Sequence, residues 1–307
     1  MIVVFGSQGQ VGHALVQAMG ELPEHVFLHR HSRGYCGDLN NIAGITETLL
    51  ELKPSIIINA AAYTNVDSAE SEPDLARQIN AKAPAAIAQI ATRLKALLVH
   101  FSTDYVFNGS GQAPWKETDA CQPLSTYGAS KYAGERAIID SGAHYFILRT
   151  SWVYSAHGRN FLKTMLDLAE SRNVLNVIND QFGVPTDAHY IAHTTLDLLN
   201  LATPGFGSTA VPPPAPGIYH CAPAGETTWF DYASLVINTA KSLGSAQACK
   251  SIIPIPSENY PTAAKRPLNS RLNTAKLQGA LGVSPPIWQE SVIETVTQVI
   301  KGTGHDH

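Results

Sequence analysis

The first nineteen residues constrain the fold of this chain more than any other segment. A short apolar run, Ile2–Phe5, is followed by the glycine-rich turn Gly6–Gly12 and by the helical pattern Val11–Met19. Glycines are needed where a strand turns sharply into a helix and where backbone approaches a phosphate group. The helix N-terminus then presents free N–H groups and a positive dipole end to an anion. Although the spacing GxxGxxG would be weak evidence alone, its place between strand and helix predicts a dinucleotide-binding turn.

The first half of the chain alternates strand-sized apolar runs with helical patterns. The further runs are His25–Leu28, Ser55–Asn59, Leu97–Phe101 and Tyr145–Leu148. Helical spacing covers Asn41–Leu52, Leu75–Leu94 and Ser125–Ile139. Repeated βα units of this kind predict an α/β fold, a doubly wound parallel sheet of the Rossmann type with helices on both faces.

The second half of the chain has a different character. Its helical patterns are Phe161–Ala169, Tyr190–Leu201, Phe230–Leu243, Thr274–Leu281 and Trp288–Ile300, with one strand-like run at Val174–Ile178. The segment Thr203–Pro216 is rich in Pro, Gly, Ala and Ser, and predicts a surface loop. We expect a dinucleotide-binding domain over residues 1–150, to which part of 173–203 returns. Most of 151–307 then forms a smaller α/β substrate-binding domain.

The charge and cysteine pattern excludes several classes of protein. There are 21 basic and 25 acidic residues, a formal net charge of −4, and no run of like charges. Nucleic-acid and membrane-surface proteins need a basic stripe, so neither partner is expected. No apolar run is long enough for a transmembrane helix, and no secretory signal pattern follows Met1. The four cysteines are scattered, which is typical of a cytoplasmic protein without structural zinc.

The region after the second predicted strand indicates which dinucleotide is bound. An acidic residue at this place holds the ribose 2′-hydroxyl of NAD, but the segment Leu28–Arg33 contains no carboxylate. The guanidinium of Arg30 or Arg33 suits a 2′-phosphate, so we expect NADPH, with NADH as a second option. Asp38 and Leu39 follow, where the adenine would lie. The alternative is that these arginines are solvated loop residues.

A tyrosine and a lysine, Tyr127 and Lys131, lie at positions i and i+4 of a predicted helix and therefore on one face. Free tyrosine has a pKa near 10, and we expect the lysine cation to lower it, so that the phenol can give a proton to a carbonyl oxygen. Ser102 and Thr103 end the fourth predicted strand, where doubly wound sheets bind their ligands. Taken separately, the pair could be an exposed helix face and the hydroxyls could cap a loop.

Together these residues resemble the extended short-chain dehydrogenase/reductase family, and the resemblance covers essentially the full length. Its most specific part is the combination of Thr103–Phe107 with Arg266–Leu272. The segments that carry it are Gly6–Gly12, Tyr35–Asp38, Asn59–Asp67, Ser102–Phe107, Tyr127 with Lys131, Arg149–Tyr154, Asp180–Thr186 and Arg266–Leu272. The chain is most similar to members that reduce a nucleotide-linked 4-keto-6-deoxysugar.

The resemblance implies a reaction and roles for particular residues. NADPH would reduce the C4 keto group of dTDP-4-dehydro-6-deoxy-L-mannose to give dTDP-L-rhamnose, a precursor of cell-surface polysaccharide. Tyr127 would be the proton donor, Lys131 would bind the nicotinamide ribose, and Thr103 would hydrogen-bond the C4 carbonyl. The residues implied in cofactor binding are Gly6, Gly9, Gln10, Val11, Gly12, Arg30, Asp38, Leu39, Ala60, Ala61, Ala62, Tyr127 and Lys131.

The resemblance also implies a sugar pocket. Asp104, Tyr105 and Val106 would line it, and Trp152 would pack against the sugar face, with ordinary core packing as the alternative for Trp152. Arg266–Leu272 would either close over the nucleotide or brace the smaller domain.

One departure from the family concerns assembly. Some members are dimers bridged by magnesium on glutamates, but this chain has Ala14 and His189 at the positions that we align. A hard cation needs oxygen ligands, so we expect no metal and a monomer or weak homodimer.

Two other functions stay open at this point. One is a different nucleotide-sugar 4-ketoreductase or an epimerase, since sugar choice depends on few side chains. The other is a non-catalytic, NADP-binding regulatory subunit of methionine adenosyltransferase. The intact set Thr103, Tyr127 and Lys131 counts against a purely binding role.

Overall fold

A computed structural model describes residues 1–20, 24–203, 213–245 and 247–302. In chain order the elements are β1 (Ile2–Phe5), α1 (Gln10–Ala18), β2 (His25–Leu28), α2 (Ile42–Leu52), β3 (Ile56–Asn59), α3 (Val66–Ser71), α4 (Pro73–Arg77), α5 (Ala83–Leu94), β4 (Leu97–Thr103), α6 (Thr126–Asp140), β5 (His144–Thr150) and β6 (Val153–Tyr154). They continue as α7 (Phe161–Ser171), β7 (Val174–Ile178), β8 (Phe182–Gly183), β9 (Thr186–Asp187), α8 (Ala188–Ala202), β10 (Gly217–His220), β11 (Thr227–Thr228), α9 (Trp229–Ser242), β12 (Ser251–Ile255), α10 (Ala275–Leu281) and α11 (Trp288–Gly302).

The central sheet has six strands in the order β10-β5-β4-β3-β1-β2, with each adjacent pair parallel. This confirms the predicted doubly wound parallel sheet. The five strands foreseen in the first half are all present. The sequence does not predict the sixth, β10, because it directly follows a proline-rich segment with the pattern of a surface loop. All carboxyl ends meet at one edge, where Thr103 of β4 pairs with Thr150 of β5.

Helices cover both faces of this sheet because its strands are apolar on both sides. On one face Val4 and Ile58 pack with residues of α1 and α8. On the other, Val3 and Ile57 pack with residues of α2, α5 and α6. Each fully buried aliphatic side chain stabilises the fold by about 2 kcal/mol before entropy is subtracted. Helix α8 thus returns from the second half onto the sheet, whereas the domain boundary at residue 150 stays a prediction.

The helical region predicted over Leu75–Leu94 is confirmed, but it is not one regular α-helix. The structure has α4, then a π-helical turn at Gln78–Lys82, then α5. Pro84 has no N–H to donate to the Asn80 carbonyl four residues earlier, so the regular ladder is interrupted there. Helix α6 approaches at this place so closely that a Cβ on Gly134 would lie 2.1 Å from the Asn80 carbonyl oxygen. The interruption therefore allows α6 to pack near the sheet edge.

The smaller part of the molecule has its own core, in which Leu162 of α7, Val236 of α9 and Val292 of α11 are fully buried. The predicted strand β7 is confirmed, and it pairs in parallel with β12 outside the central sheet. Of the predicted loop Thr203–Pro216, residues 204–212 lie outside the described part of the chain. No helix in the described residues is long and apolar enough to cross a membrane.

Candidate active site

The glycine-rich turn at the end of β1 is packed backbone against backbone. Gly6 has a φ of +83°, and a Cβ there would lie 2.6 Å from the Ala61 amide nitrogen. A Cβ on Gly12 would lie 1.9 Å from the Gly6 carbonyl oxygen. The structure therefore brings the predicted turns Gly6–Gly12 and Asn59–Ala62 together, and only glycine fits at these two points.

The N-terminus of α1 is suited to an anion. Gly9 precedes the helix and offers no side chain to cap its first turn, so the N–H groups of Gln10 and Val11 point out of the helix end. The Gln10 side chain itself is engaged elsewhere. Its Oε1 accepts hydrogen bonds from Asn160 Nδ2 at 2.9 Å and from Ser155 Oγ at 3.3 Å. A phosphate at this turn would thus be bound by backbone.

The predicted adenosine contacts follow β2. The guanidinium Nε of Arg30 lies 3.9 Å from Asp38 Oδ2, and the Arg30 side chain is 70% exposed. Such an exposed pair contributes little stability, which leaves the cation available to a phosphate. Leu39 is only 4% exposed and packs in the sheet core, so its side chain is a poor candidate for an adenine contact.

Thr103 and Tyr127 are brought together at the carboxyl edge of the sheet. Thr103 Oγ1 donates to Asp104 Oδ1 at 3.0 Å and accepts from the Tyr105 amide at 3.2 Å. It is also hydrogen-bonded to the Tyr127 phenol. Ser125 caps α6 by accepting from the Gly128 amide, and a Cβ on Gly128 would lie 2.3 Å from the Tyr105 carbonyl oxygen. The start of α6 is therefore pressed against the end of β4.

The expected lowering of the tyrosine pKa is not what the structure shows. Burial raises the pKa of Tyr127 to about 12, against which the Thr103 hydrogen bond acts in the lowering direction. Lys131 Nζ instead donates to the Phe101 carbonyl oxygen at 2.6 Å and lies 3.3 Å from His100 Nε2. Burial lowers the pKa of Lys131 to about 8, with Glu135 acting in the opposite direction. Desolvation is thus the largest influence on the pKa of both groups.

Asp104 is a carboxyl group inside the protein, only 2% exposed. Burial raises its pKa to about 6, although hydrogen bonds from Ser270 and Thr103 favour the charged form. The Asp104 carboxyl group therefore titrates close to neutrality. Its neighbour Val106 is fully buried in the core of the smaller part, so the side chain of Val106 does not face a pocket.

Trp152 is partly exposed and has a left-handed backbone, with φ at 46°. Its ring stacks on Trp229 with centroids 3.7 Å apart, and a Cβ on Gly183 would lie 2.8 Å from the ring. One face of the indole is therefore covered by protein. The sequence pattern did not indicate Trp229 as a site residue; its one signal is the pair of adjacent aromatic residues, Trp229 and Phe230, at the start of α9.

The segment Arg266–Leu272 is bound to residues near the carboxyl end of β4. Arg266 Nη2 lies 2.7 Å from Asp67 Oδ2, and its guanidinium also bonds the Tyr105 hydroxyl. Ser270 bonds Asp104, as described above. These contacts tie the segment to residues of the first half. Both roles named from the sequence, closing over the nucleotide and bracing the smaller domain, stay predictions. Asp67 was missed as a site residue because its partner lies about two hundred residues away in the chain.

A buried ion pair lies one helical turn beyond Lys131. Arg149 of β5 donates to Glu135 of α6 at 2.6 and 2.9 Å, and both side chains are at most 2% exposed. A buried pair of this kind costs desolvation on both sides and is kept together by its two hydrogen bonds. Its sequence signal is weak, since the two residues are fourteen positions apart on different elements.

Comparison with known proteins adds four findings. The family model described as RmlD substrate binding domain matches residues 1–301. The dTDP-4-dehydrorhamnose reductase of Salmonella typhimurium is 44% identical over 302 residues, covering 98% of this chain and 99% of that protein. That of Escherichia coli K12 is 45% identical with the same coverage. The crystal structure of the Bacillus anthracis dTDP-4-dehydrorhamnose reductase in complex with NADP has a TM-score of 0.85 and 32% identity, covering 97% of this chain and 98% of that one.

Proposed function

The chain belongs to the RmlD substrate binding domain family, and from this premise we propose that it reduces the C4 keto group of dTDP-4-dehydro-6-deoxy-L-mannose with NADPH, giving dTDP-L-rhamnose. This is the reaction of dTDP-4-dehydrorhamnose reductases, to which the chain is similar over nearly its full length. The observation in the structure that supports it most is the hydrogen-bonded pair Thr103 and Tyr127, at the same carboxyl edge of the sheet as the glycine-rich turn.

The cofactor residues fit NADPH. The turn Gly6–Gly12 would hold the pyrophosphate on backbone N–H groups, and Arg30 would hold the 2′-phosphate. When bound, NADPH supplies the hydride that reaches C4 of the sugar. Ala60 and Ala61, packed against Gly6, leave room for the cofactor because their side chains are small.

The protein itself supplies the proton that the sugar oxygen takes up, and the donor is Tyr127. Tyr127 carries a phenol that stays protonated at neutral pH because burial raises its pKa to about 12. It gives this proton to the sugar oxygen as negative charge develops there. Thr103 is hydrogen-bonded to this phenol and orients it. When Asp104 is protonated and no longer accepts from the Thr103 hydroxyl, that hydroxyl can donate to the sugar oxygen as well. Lys131 binds the nicotinamide ribose.

The sugar pocket is assigned to the wall around this edge. Trp152, supported from behind by Trp229, offers an aromatic face to the apolar side of the deoxysugar. Tyr105 lies edge-on to Tyr127 at 5.7 Å and is fixed by Arg266. Asp104 offers its carboxyl group to a sugar hydroxyl.

Compartment and assembly are part of the proposal. We place the enzyme in the cytoplasm, where NADPH and nucleotide sugars are available, as a monomer or weak homodimer. The support for the second point is that Ala14 of α1, 1% exposed, and His189 of α8 offer no carboxylate for a magnesium bridge.

The test is a reductase assay with purified protein, NADPH and enzymatically prepared dTDP-4-dehydro-6-deoxy-L-mannose. We expect loss of the near-ultraviolet absorbance of reduced nicotinamide in step with formation of dTDP-L-rhamnose. The UDP-linked keto sugar and NADH serve as matched controls for the base and for the 2′-phosphate. Sugar interconversion without consumption of NADPH would point to an epimerase instead. Tight NADPH binding without any turnover of keto sugars would point to a regulatory subunit.

A further inference from the structure

His100 is a polar residue inside an apolar strand. Its side chain is 1% exposed, and it lies directly across the ladder from Asn59 of β3, which is also 1% exposed. Burial, and then the charge of Lys131, hold the pKa of His100 well below its ordinary value, so the ring is neutral at physiological pH. A neutral imidazole has one donor nitrogen and one acceptor nitrogen. The partner on one side of the ring therefore decides what the other side can do.

Both ring nitrogens have partners. Nδ1 lies 3.1 Å from Asn59 Nδ2, and Nε2 lies 3.3 Å from Lys131 Nζ. Lys131 also donates to the Phe101 carbonyl oxygen at 2.6 Å. Three side chains from β3, β4 and α6 thus form one continuous chain of hydrogen bonds beneath the catalytic edge.

The direction of these hydrogen bonds, from donor to acceptor, is set at Asn59. The Ala61 amide donates to Asn59 Oδ1 at 3.2 Å, which turns Asn59 Nδ2 toward His100. Asn59 therefore donates to Nδ1, and the ring proton lies on Nε2, facing Lys131. An ammonium group has no lone pair to accept it. In this arrangement Lys131 is the neutral amine, which accepts from His100 and donates to the Phe101 carbonyl.

A charged Lys131 requires the opposite arrangement. The ammonium donates to Nε2, so the ring proton moves to Nδ1, and Asn59 must turn its oxygen toward the ring. That rotation breaks the hydrogen bond from Ala61. One proton is taken up from solvent by the amine and the ring stays neutral throughout, so the protons balance. Charging the lysine is thereby linked to the turn Asn59–Ala62, which packs against Gly6.

We propose that His100 is a positioning residue that couples the charge of Lys131 to the cofactor-facing turn Asn59–Ala62. The relevance of that charge to catalysis rests on the proposed function, but the coupling itself does not. Besides His100, the titratable group that acts on the charge of Lys131 is Glu135 on its own helix, and Glu135 is paired with Arg149 of β5. Since burial lowers the pKa of Lys131 to about 8, both arrangements are accessible near physiological pH.

The direct test is nuclear magnetic resonance on the full chain labelled with nitrogen-15 histidine, without substrate. Two-bond proton–nitrogen correlations report the tautomer of each ring, and the spectrum of His100→Gln identifies the His100 signals. Across about pH 6 to pH 10, a range that spans the lysine titration, we expect a change from the Nδ1–H to the Nε2–H tautomer. In Lys131→Met the ring should stay Nε2–H at every pH. A wild-type tautomer that never changes would overturn the proposal.

The activity test compares two variants of the same position. His100→Phe keeps the ring but removes both nitrogens, so we expect kcat to fall about tenfold, the scale seen when a functional group loses its orienting partner. Its kcat–pH profile should also lose the ionisation near the lysine pKa, which a packing defect alone would not remove. His100→Gln, whose amide can donate or accept, should recover most of the activity.

The two proposals fail separately. A wild-type chain without reductase activity would refute the proposed function and leave the tautomer result standing. An active wild-type enzyme with a fixed His100 tautomer, or a His100→Phe variant with an unchanged pH profile, would refute the role of His100 alone.

Discussion

The two halves of the proposed active site lie at one edge of the same sheet, yet they are built in opposite ways. The turns Gly6–Gly12 and Asn59–Ala62 are backbone packed on backbone, with no room for an added Cβ at Gly6 or Gly12. The catalytic edge consists of polar side chains that are almost fully buried, including Thr103, Asp104 and Lys131. A substitution that adds atoms should therefore disrupt the glycine-rich turns. At the catalytic edge, a substitution that removes a polar atom should be the more harmful one.

The two halves also differ in what they cost the protein in stability. The two backbone turns bury no ionisable side chain, so they carry no desolvation cost for a charge. Burial at the catalytic edge raises the pKa of Asp104 to about 6 and lowers that of Lys131 to about 8, which means that both charged forms are disfavoured. The edge keeps polar groups where apolar ones would be more stable, and this is typical of functional sites.

The largest effect is expected from removing one oxygen atom at the catalytic edge. Tyr127→Phe leaves the ring but takes away the proton donor, so kcat should fall by about a thousandfold. The matched control is Tyr132→Phe on the same helix, which should keep full activity. Both are measured as NADPH consumption with the keto sugar, alongside NADPH binding, which neither should weaken greatly. Full activity in Tyr127→Phe would contradict the assignment of the acid.

Adding one carbon to the glycine turn is expected to act on stability. Gly12→Ala places a Cβ against the Gly6 carbonyl oxygen, and we expect a loss of about 3 kcal/mol in the free energy of unfolding, with weaker NADPH binding. In the exposed helix α10, Gly279→Ala meets nothing within 4 Å and should stabilise the fold by about 1 kcal/mol. Urea denaturation measures both. Equal unfolding midpoints would show that the turn adjusts freely.

Replacing a buried acid should stabilise the protein in one pH range only. The folded chain holds a proton on Asp104 up to about pH 6, whereas the unfolded chain releases it near the ordinary value of 3.8. The stability contributed by this group therefore falls as pH rises through that interval and stays low above it. Asp104→Asn should be more stable than wild type by about 2 kcal/mol at pH 7.

At pH 4 that gain should vanish, because wild-type Asp104 is then protonated as well. The variant should also lose activity, which would show stability exchanged for function. Asp140→Asn, with a side chain 63% exposed, is the control and should change stability little at either pH. A gain of the same size at both pH values would contradict the raised pKa of Asp104.

The smallest effect concerns cofactor preference. Arg30→Ala removes the cation assigned to the 2′-phosphate, so the ratio of kcat/KM for NADPH to that for NADH should fall about tenfold. Arg33→Ala, also exposed and only three residues further along, should leave the ratio unchanged. If the Arg33 variant changes the ratio and the Arg30 variant does not, the roles of the two arginines must be exchanged.

Most of the fold could be predicted because its signals are local. Apolar runs of four or five residues, glycines after β1 and helical spacing between the runs predicted five of the six sheet strands and their parallel orientation. The helical pattern over Leu75–Leu94 is borne out, but the sequence did not predict its π-helical turn at Gln78–Lys82. That turn forms where Pro84 lacks an N–H to donate to the Asn80 carbonyl and where α6 packs closely. The four-residue strand β10 is formed by its parallel pairing with β5, a contact that the local sequence does not show.

In the candidate site, too, some features follow from local sequence and others from tertiary contacts. By itself the sequence determined which residues are available: glycines at the turn, the tyrosine and lysine on one helix face, and a threonine at the end of β4. The tertiary structure decided how they are used. It bonded Thr103 to Asp104, turned Lys131 toward His100, and joined Arg266 to Asp67. The physical reason is that hydrogen-bond partners and pKa values depend on burial and on residues distant in the chain, which sequence spacing does not encode.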